Sequence, residues 1–513
     1  MKRTILIYIG VLVLCGVGML VAFERRRHLP PPAAVEGAPT RVGVTAPAAP
    51  GDSASPWSPL RENLKNPLSR LLLQVIVIVL ATRMLGALFA RGGQPAVVGE
   101  VLAGILLGPS LLGWLWPEAS GFIFPQESLG VLRLFSQIGV CLFMFVVGLE
   151  LELSHLRQKA QTAIVVSHAS IMIPYLLGVT AALFLYTPYA APEASFSAFA
   201  LFMGIALSIT AFPVLARILN DRGIAKTFLG SMAITCAAVD DATAWAILAF
   251  VVAIGRATSL ASTAFCLGWV LAFVALMLWV VRPRLPRWFG VEASIWPSPP
   301  SIPLTASSPG EGGGLEGGEG HKTMAGAEPS RSVVATVLIL MVASALTTEL
   351  IGIHGLFGAF LAGVVMPQKK GFREYLVVRL EHFSSLFLLP LFFAFSGLRT
   401  HVGLLNDTTG WLVCLAIIGV ATLGKLGGTM ITARLTGINW NDSFALGALM
   451  NTRGLVELVA LNIGYDLGIL PPRIFAMMVL MALVTTVLTG PLLNLAERVK
   501  RRRIRMPVLS DSI

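Results

Sequence analysis

The sequence predicts an all-α polytopic membrane protein of about thirteen spans plus an N-terminal helix, arranged as inverted repeats with two crossing broken helices. Three observations carry this expectation. The chain is 55% hydrophobic and 13% charged over 513 residues, with a mean hydropathy of +0.79. No water-soluble domain of this size has a core large enough to hide so much apolar surface. The apolar residues come in runs of about twenty, the length that crosses a bilayer as a helix. Two of these runs, one in each half of the chain, carry helix-disrupting residues at mid-depth.

The first run, ILIYIGVLVLCGVGMLVAF, follows Lys2 and Arg3, and residues 1–23 read as an N-terminal membrane anchor or a signal helix. Its end shows no A-x-A cleavage pattern, which favours the anchor. Residues 24–65 form a Pro/Ala-rich linker too poor in apolar residues to pack a core. The first half of the membrane domain, 66–282, holds runs near 68–90, 95–113, 129–149, 161–185, 195–219, 227–253 and 259–281. Residues 283–332, including SPGEGGGLEGGEG, read as a flexible cytoplasmic linker. The second half, 333–498, holds runs near 333–350, 354–366 (a short one), 381–398, 409–434, 443–465 and 473–497, and residues 499–513 are a basic tail.

Charge sets the expected orientation. Arg91, Arg157, Lys159, Arg217, Arg222, Lys226, Arg282, Arg284, Arg287, Lys369, Lys370, Arg373, Arg379 and the tail fall in one set of alternate loops, while the other set holds little beyond Arg256, Arg399 and Arg473. Positive loops face the cytoplasm, so the C-terminus is expected there and the 68–90 span enters from outside. Arg25, Arg26 and Arg27 then fall outside, against the rule. The net charge of +11 is thus spread over loops that flank membrane spans, which speaks against a nucleic-acid partner. The five cysteines stand singly in apolar runs without metal-site or disulfide spacing.

The 195–219 run contains SITAFPVLARIL, with Pro213 at its centre. Proline lacks a backbone donor and clashes with the preceding turn, so residues from Thr210 to Pro213 are expected to leave free carbonyls and amides. The 443–465 run contains LMNTRGLVELV, placing Asn451, Thr452, Arg453, Gly454 and Glu457 at its middle. Unwound backbone inside a membrane persists only where protein or a water-filled cavity satisfies it. An interrupted span in each half is the sequence pointer to an ion site between inverted repeats.

Asp240 and Asp241 lie in the middle of GSMAITCAAVDDATAWAILAFVVAIG. A carboxylate at that depth costs roughly 2.5–3.5 kcal/mol, and two adjacent ones repel. Such a pair is expected to border water, a proton or a cation, and to titrate as a coupled unit; the bland reading is two protonated carboxyls that merely pack. Lys425, in IIGVATLGKLGGTMI, is the deep cation of its span, among Gly424, Gly427 and Gly428. Its charge needs a buried partner, and one of the two aspartates is the natural candidate, against the alternative of snorkelling to the interface. Arg453 and Glu457, four apart on a helix, are expected to pair, either bracing the break or handling ions directly. Glu100 and His354 read as capped or interfacial polar residues. Tyr465-Asp466 matches half of an intramembrane aspartyl protease signature, but no GxGD accompanies it.

QPAVVGEVLAGILLGPSLLG (94–113), FMFVVGLELEL (143–153), SITAFPVLARIL, AAVDDATAW (237–245), IHGLFGAFLAGVVMP (353–367), LPLFFAFSGL (389–398) and NTRGLVELVALNIG (451–464) together resemble the monovalent cation:proton antiporter-2 family, with plant cation/proton exchangers and their bacterial relatives nearest in motif. The resemblance spans roughly residues 65–500. It implies the sodium/proton antiporter fold and a homodimer whose mobile core carries the ion past a static scaffold in an elevator-like motion. It implies that Asp241 is the main cation ligand. Asp240 pairs with Lys425 and releases it on ion binding, and Thr210 is a neighbour on the first crossover. Many plant exchangers have asparagine where Asp240 stands, so the double aspartate points to electrogenic exchange, with the lysine proton as a second exchangeable one. With about fifteen residues after its last span, the chain is expected to lack the nucleotide-binding domain of glutathione-gated potassium efflux systems, which speaks against ligand-gated efflux.

The function expected is secondary antiport of H⁺ against Na⁺ or K⁺ across the inner membrane, with no enzymatic activity and no organic cofactor. The alternative is a potassium efflux protein with channel-like behaviour, passing cations without moving protons. Residue types alone leave the choice among Na⁺, K⁺ and Li⁺ open, because selectivity rests on ligand geometry and dehydration.

Overall fold

Every apolar run of the sequence within the described residues folds as a helix. The computed structural model of the protein describes residues 2–26, 63, 66–150, 160–256, 260–289, 331–367 and 369–505. Among these, twelve helices are long and apolar enough to cross a membrane, counting Leu6–Arg25 near the N-terminus, and the pair Trp440–Met450 and Leu455–Asp466, bent by 43°, passes together as one further span. The run expected as a span at 354–366 is a half-length element. Gly355–Val365 has eleven residues and rises about 16 Å, roughly half the apolar thickness of a bilayer. Most of both linkers lies outside the described residues, but the first residues of the second one continue the preceding span as a helix to Trp288.

Large apolar side chains such as Phe184, Trp279, Leu350 and Leu423 point outward and are exposed. In a multi-pass membrane protein lipid is the solvent for such a surface.

Two compact units form. One gathers the described residues of Val140–Leu151 and Phe265–Leu386 around Phe145, Leu149, Met277, Val337, Ala362 and Phe372. In it Gly148 and Gly363 face each other so closely that a Cβ on either would strike the other helix. The other unit gathers the described residues of Met1–Gly139, Glu152–Ala264 and Phe387–Ile513, and it contains the double aspartate. The aspartate helix, Phe228–Arg256, packs against Ala160–Tyr189 and against all four halves of the two interrupted spans: Phe196–Ser208, Phe212–Asp221, Trp440–Met450 and Leu455–Asp466. An apolar cluster that includes Ala163, Ala211, Leu215, Cys236, Ala237, Leu449 and Met450 seals these contacts. Lys2–Arg25 lies along Ala160–Tyr189, where Cys15 and Ala22 are buried.

Candidate functional site

Pro213 decides where the first interrupted span breaks. It has no N–H for the carbonyl four residues back, that of Ile209, and its ring crowds the same carbonyl. The helix stops at Ser208, Ile209 and Ala211 are extended, and the second half-helix opens at Phe212 with Pro213 in its first turn. The break covers 209–211, just ahead of the 210–213 stretch expected, because proline disrupts the turn before it and suits the turn it begins.

The second interrupted span ends its first half at Met450 and resumes at Leu455. The two breaks touch. The Ala211 N–H donates to Thr452 O at 3.0 Å, and Thr210 Oγ1 lies 3.1 Å from Met450 O. A Cβ on Gly454 would stand 2.9 Å from Val214 Cγ2 and 3.2 Å from Ala211 Cβ, so the glycine permits the approach. Pro472–Arg505 braces the crossing from outside. Thr486 Oγ1 accepts from the Arg453 N–H at 3.0 Å, and the hydroxyls of Thr452 and Thr489 lie 3.2 Å apart.

The last carbonyls of Phe196–Ser208 have no intrahelical donor, and lipid offers none. Cations from the second half of the chain take them. Arg453 donates through Nη1 to Ala206 O and through Nη2 to Leu207 O, each at 2.6 Å. Lys425 Nζ donates to Ser208 O. These cations also sit at the negative end of the half-helix dipole.

Asp240 and Asp241 have opposite surroundings. Asp240 Oδ1 accepts from Ser167 Oγ at 2.5 Å, while Oδ2 accepts from Thr210 Oγ1 at 2.6 Å, Lys425 Nζ at 2.9 Å and Ser170 Oγ at 3.0 Å. Both oxygens of Asp241 are buried with no side-chain hydrogen-bond partner among the described residues, and the backbone of Phe212 is the polar group that acts on them. Adjacent helical residues are turned about 100° from each other, which is how one carboxylate can be saturated and its neighbour bare.

Lys425 belongs to Leu423–Gly427, a π-helical turn between Thr408–Thr422 and Gly428–Leu435. Such turns widen the helix and recur at functional sites. Gly424 in this turn abuts Pro174 and Leu177. The ammonium meets three acceptors, Asp240 Oδ2, Ser170 Oγ at 3.2 Å and Ser208 O, one for each of its protons.

Thus Asp240, Lys425 and Thr210 meet directly, and Pro213 shapes the break that presents Thr210. Arg453 caps the first half-helix and stands 3.4 Å from Glu457 Oε2. Asn451 is fully buried at the end of Trp440–Met450, with neither side-chain amide atom hydrogen-bonded among the described residues. Glu100 shares none of these contacts; Arg83 and Arg217 are the cations that act on it. His354 precedes Gly355–Val365 in the other unit. Asp466 is tied to Arg399 and, at 2.9 Å, to Arg133, an ion-paired arrangement unlike a protease aspartate.

Ser167, Ser170, Thr486 and Thr489 were not singled out by the sequence. The serines stand three apart on an apolar helix, which hints at a shared face, but a helical serine has a ready acceptor in its own preceding turn. The hint alone does not separate a ligand from a bystander.

Three carboxyl groups (Asp240, Asp241, Glu457) and two cations (Lys425, Arg453) are at most 2% exposed in this region. Fully ionised, the group carries one uncompensated negative charge. An unbalanced buried charge is costly, so the arrangement favours gaining protons or a monovalent cation over staying fully ionised.

The family described as sodium/hydrogen exchanger, transmembrane, matches residues 75–293 and 321–495. The Na(+)/H(+) antiporter NhaS4 of Synechocystis sp. is 41% identical over 431 residues, covering 83% of this chain and 97% of that protein. Cation/H(+) antiporter 17 of Arabidopsis thaliana is 38% identical over 437 residues, covering 84% of this chain and 48% of that protein; the chain spans about half the length of this plant relative. The solved structure of the sodium proton antiporter MjNhaP1 from Methanocaldococcus jannaschii matches in fold with a TM-score of 0.57 at 13% identity, covering 82% of this chain and 96% of that one.

Proposed function

Because the chain belongs to the sodium/hydrogen exchanger family, we propose that it is a secondary cation/proton antiporter, exchanging H⁺ for Na⁺ or K⁺ across the membrane. The observation that carries this reading is Asp241, a buried carboxylate to which no described side chain donates, beside a neighbour held by three hydroxyls and an ammonium. A proton or a partly dehydrated cation stabilises such a carboxylate, and the two compete for the same oxygens. That competition is the coupling of antiport.

Asp240 serves as the fixed partner of Lys425, held by Ser167, Ser170 and Thr210. The crossing breaks bring half-helix ends to mid-depth, where an ion that has shed water needs polar groups. Hydrogen bonds tie the aspartate helix, the lysine turn, the serine helix and both breaks to one another, which supports an elevator-like movement of the site as one body. Two aspartates against one lysine support electrogenic exchange with more than one proton per cation. The working assembly is a homodimer in the inner membrane, with the C-terminus in the cytoplasm, an orientation supported by the Lys/Arg-rich loops.

The test is dye-reported proton movement in everted vesicles on addition of Na⁺, K⁺ or Li⁺. Antiport dissipates a preset proton gradient with at least one of them. Cation flux without proton movement would instead identify a channel-like efflux protein.

A further inference from the structure

We propose that Glu457 is a second proton carrier of the site, losing its proton together with Asp241 when one cation binds. The inference rests on the antiport reading above and assigns the source of its second proton.

The carboxyl of Glu457 is fully buried in the first turn of Leu455–Asp466, and among the described residues neither oxygen has a hydrogen-bond partner of ordinary geometry. Arg453 Nη1, at 3.4 Å, lies beyond the ordinary N–H···O range. The two terminal nitrogens of Arg453 already donate to Ala206 O and Leu207 O at 2.6 Å. Arg453 is therefore held without Glu457, and Glu457 can take or lose a proton without undoing the crossing.

The charged groups that act on Glu457 are Arg453 and Lys425. The helix of Asp240 and Asp241 also packs against Leu455–Asp466. The neighbouring helices Phe196–Ser208 and Leu389–Leu398 contain no ionisable residue, and Pro472–Arg505 carries its charges near its two ends. Asp466, on the same half-helix, is occupied by Arg399 and Arg133.

Lys425 is the competing source of a second proton. Its three N–H groups are matched by three acceptors, one of them the Ser208 carbonyl at a helix end. A neutral amine would have to abandon one of them, whereas Glu457 on protonation gives up only its 3.4 Å ion pair with Arg453 Nη1.

The charges balance. In the proton-loaded site Asp241 and Glu457 are protonated, Asp240 offsets Lys425, and Arg453 leaves one positive charge. On cation binding both carboxyl O–H bonds release their protons, the monovalent cation settles on Asp241, and the site is neutral. Each cycle then moves one net charge while Lys425 stays an ammonium throughout.

The experiment counts protons released per chain when saturating NaCl or KCl is added to purified full-length protein in weakly buffered detergent with a pH dye. Wild type should release two and Glu457→Gln one. Undiminished release from Glu457→Gln or a single proton from wild type would overturn the assignment to Glu457 while vesicle exchange keeps the antiport reading alive. No release from wild type and no vesicle exchange would overturn both. Should Glu457→Gln fail to fold, infrared difference spectra of wild type on cation addition decide the matter. Loss of two protonated-carboxyl bands, one of them shifted in Glu457→Asp, supports the proposal, and loss of one overturns it.

Discussion

The backbone N–H of Ala211 donates to the carbonyl of Thr452 at 3.0 Å, joining the two interrupted spans backbone to backbone. Each span has lost its own helical hydrogen bonds at that point, so each supplies what the other lacks. The breaks are mutually dependent, and changes at either should be felt by both.

Gly454→Val tests the closeness of the crossing. The added Cβ alone would stand 2.9 Å from Val214 Cγ2, and overpacking of this kind costs about 1–3 kcal/mol. The variant should melt at lower temperature in detergent and lose transport. A melting temperature equal to wild type would mean the spans can separate freely here.

Arg453→Met should be among the most destabilising single substitutions in the chain. It leaves the carbonyls of Ala206 and Leu207 without donors and removes the cation nearest Glu457, at a cost of about 3–5 kcal/mol. Arg453→Lys should recover only part of this, since one ammonium does not reproduce a fork aimed at two carbonyls. Thermal unfolding of the two variants side by side gives the answer, and equal stability of Lys and Arg at this position would refute the capping role.

Asp241→Asn should abolish exchange with every cation while leaving membrane insertion and thermal stability close to wild type. Asparagine cannot alternate between proton and cation, yet no described side chain depends on Asp241 for a hydrogen bond, and the asparagine oxygen still accepts. Cation-dependent proton movement in vesicles of this variant would remove Asp241 from the mechanism.

A cysteine placed in the glycine-rich stretch 310–318 should react with an impermeant thiol reagent only when the cytoplasmic face is open to it. Labelling in intact cells would reverse the orientation read from the loop charges.

Much of the site is legible in the residue string because burial in lipid makes polar residues conspicuous. Asp240, Asp241, Lys425, Arg453 and Glu457 each stand out against an apolar run, and Pro213 marks a break by its covalent structure alone. Span positions are equally plain, since an apolar helix must be long enough to cross. The half-length helix at Gly355–Val365 is the exception, its apolar run being too short to declare whether it crosses.

Only the packed chain decides which aspartate is held and which is bare. Asp240 and Asp241 are chemically identical, and their difference comes from which helix each one faces about 100° apart on the same turn. The ligands that fix Asp240 are the hydroxyls of Ser167 and Ser170, whose helical alternative is their own preceding turn. The carbonyls capped by Arg453 belong to residues 247 and 246 positions away, and no local pattern encodes a hydrogen bond across that separation. Composition and spacing determine that charges are buried in the membrane; the crossing of the two interrupted spans determines how they are paired, because pairing depends on distance in space.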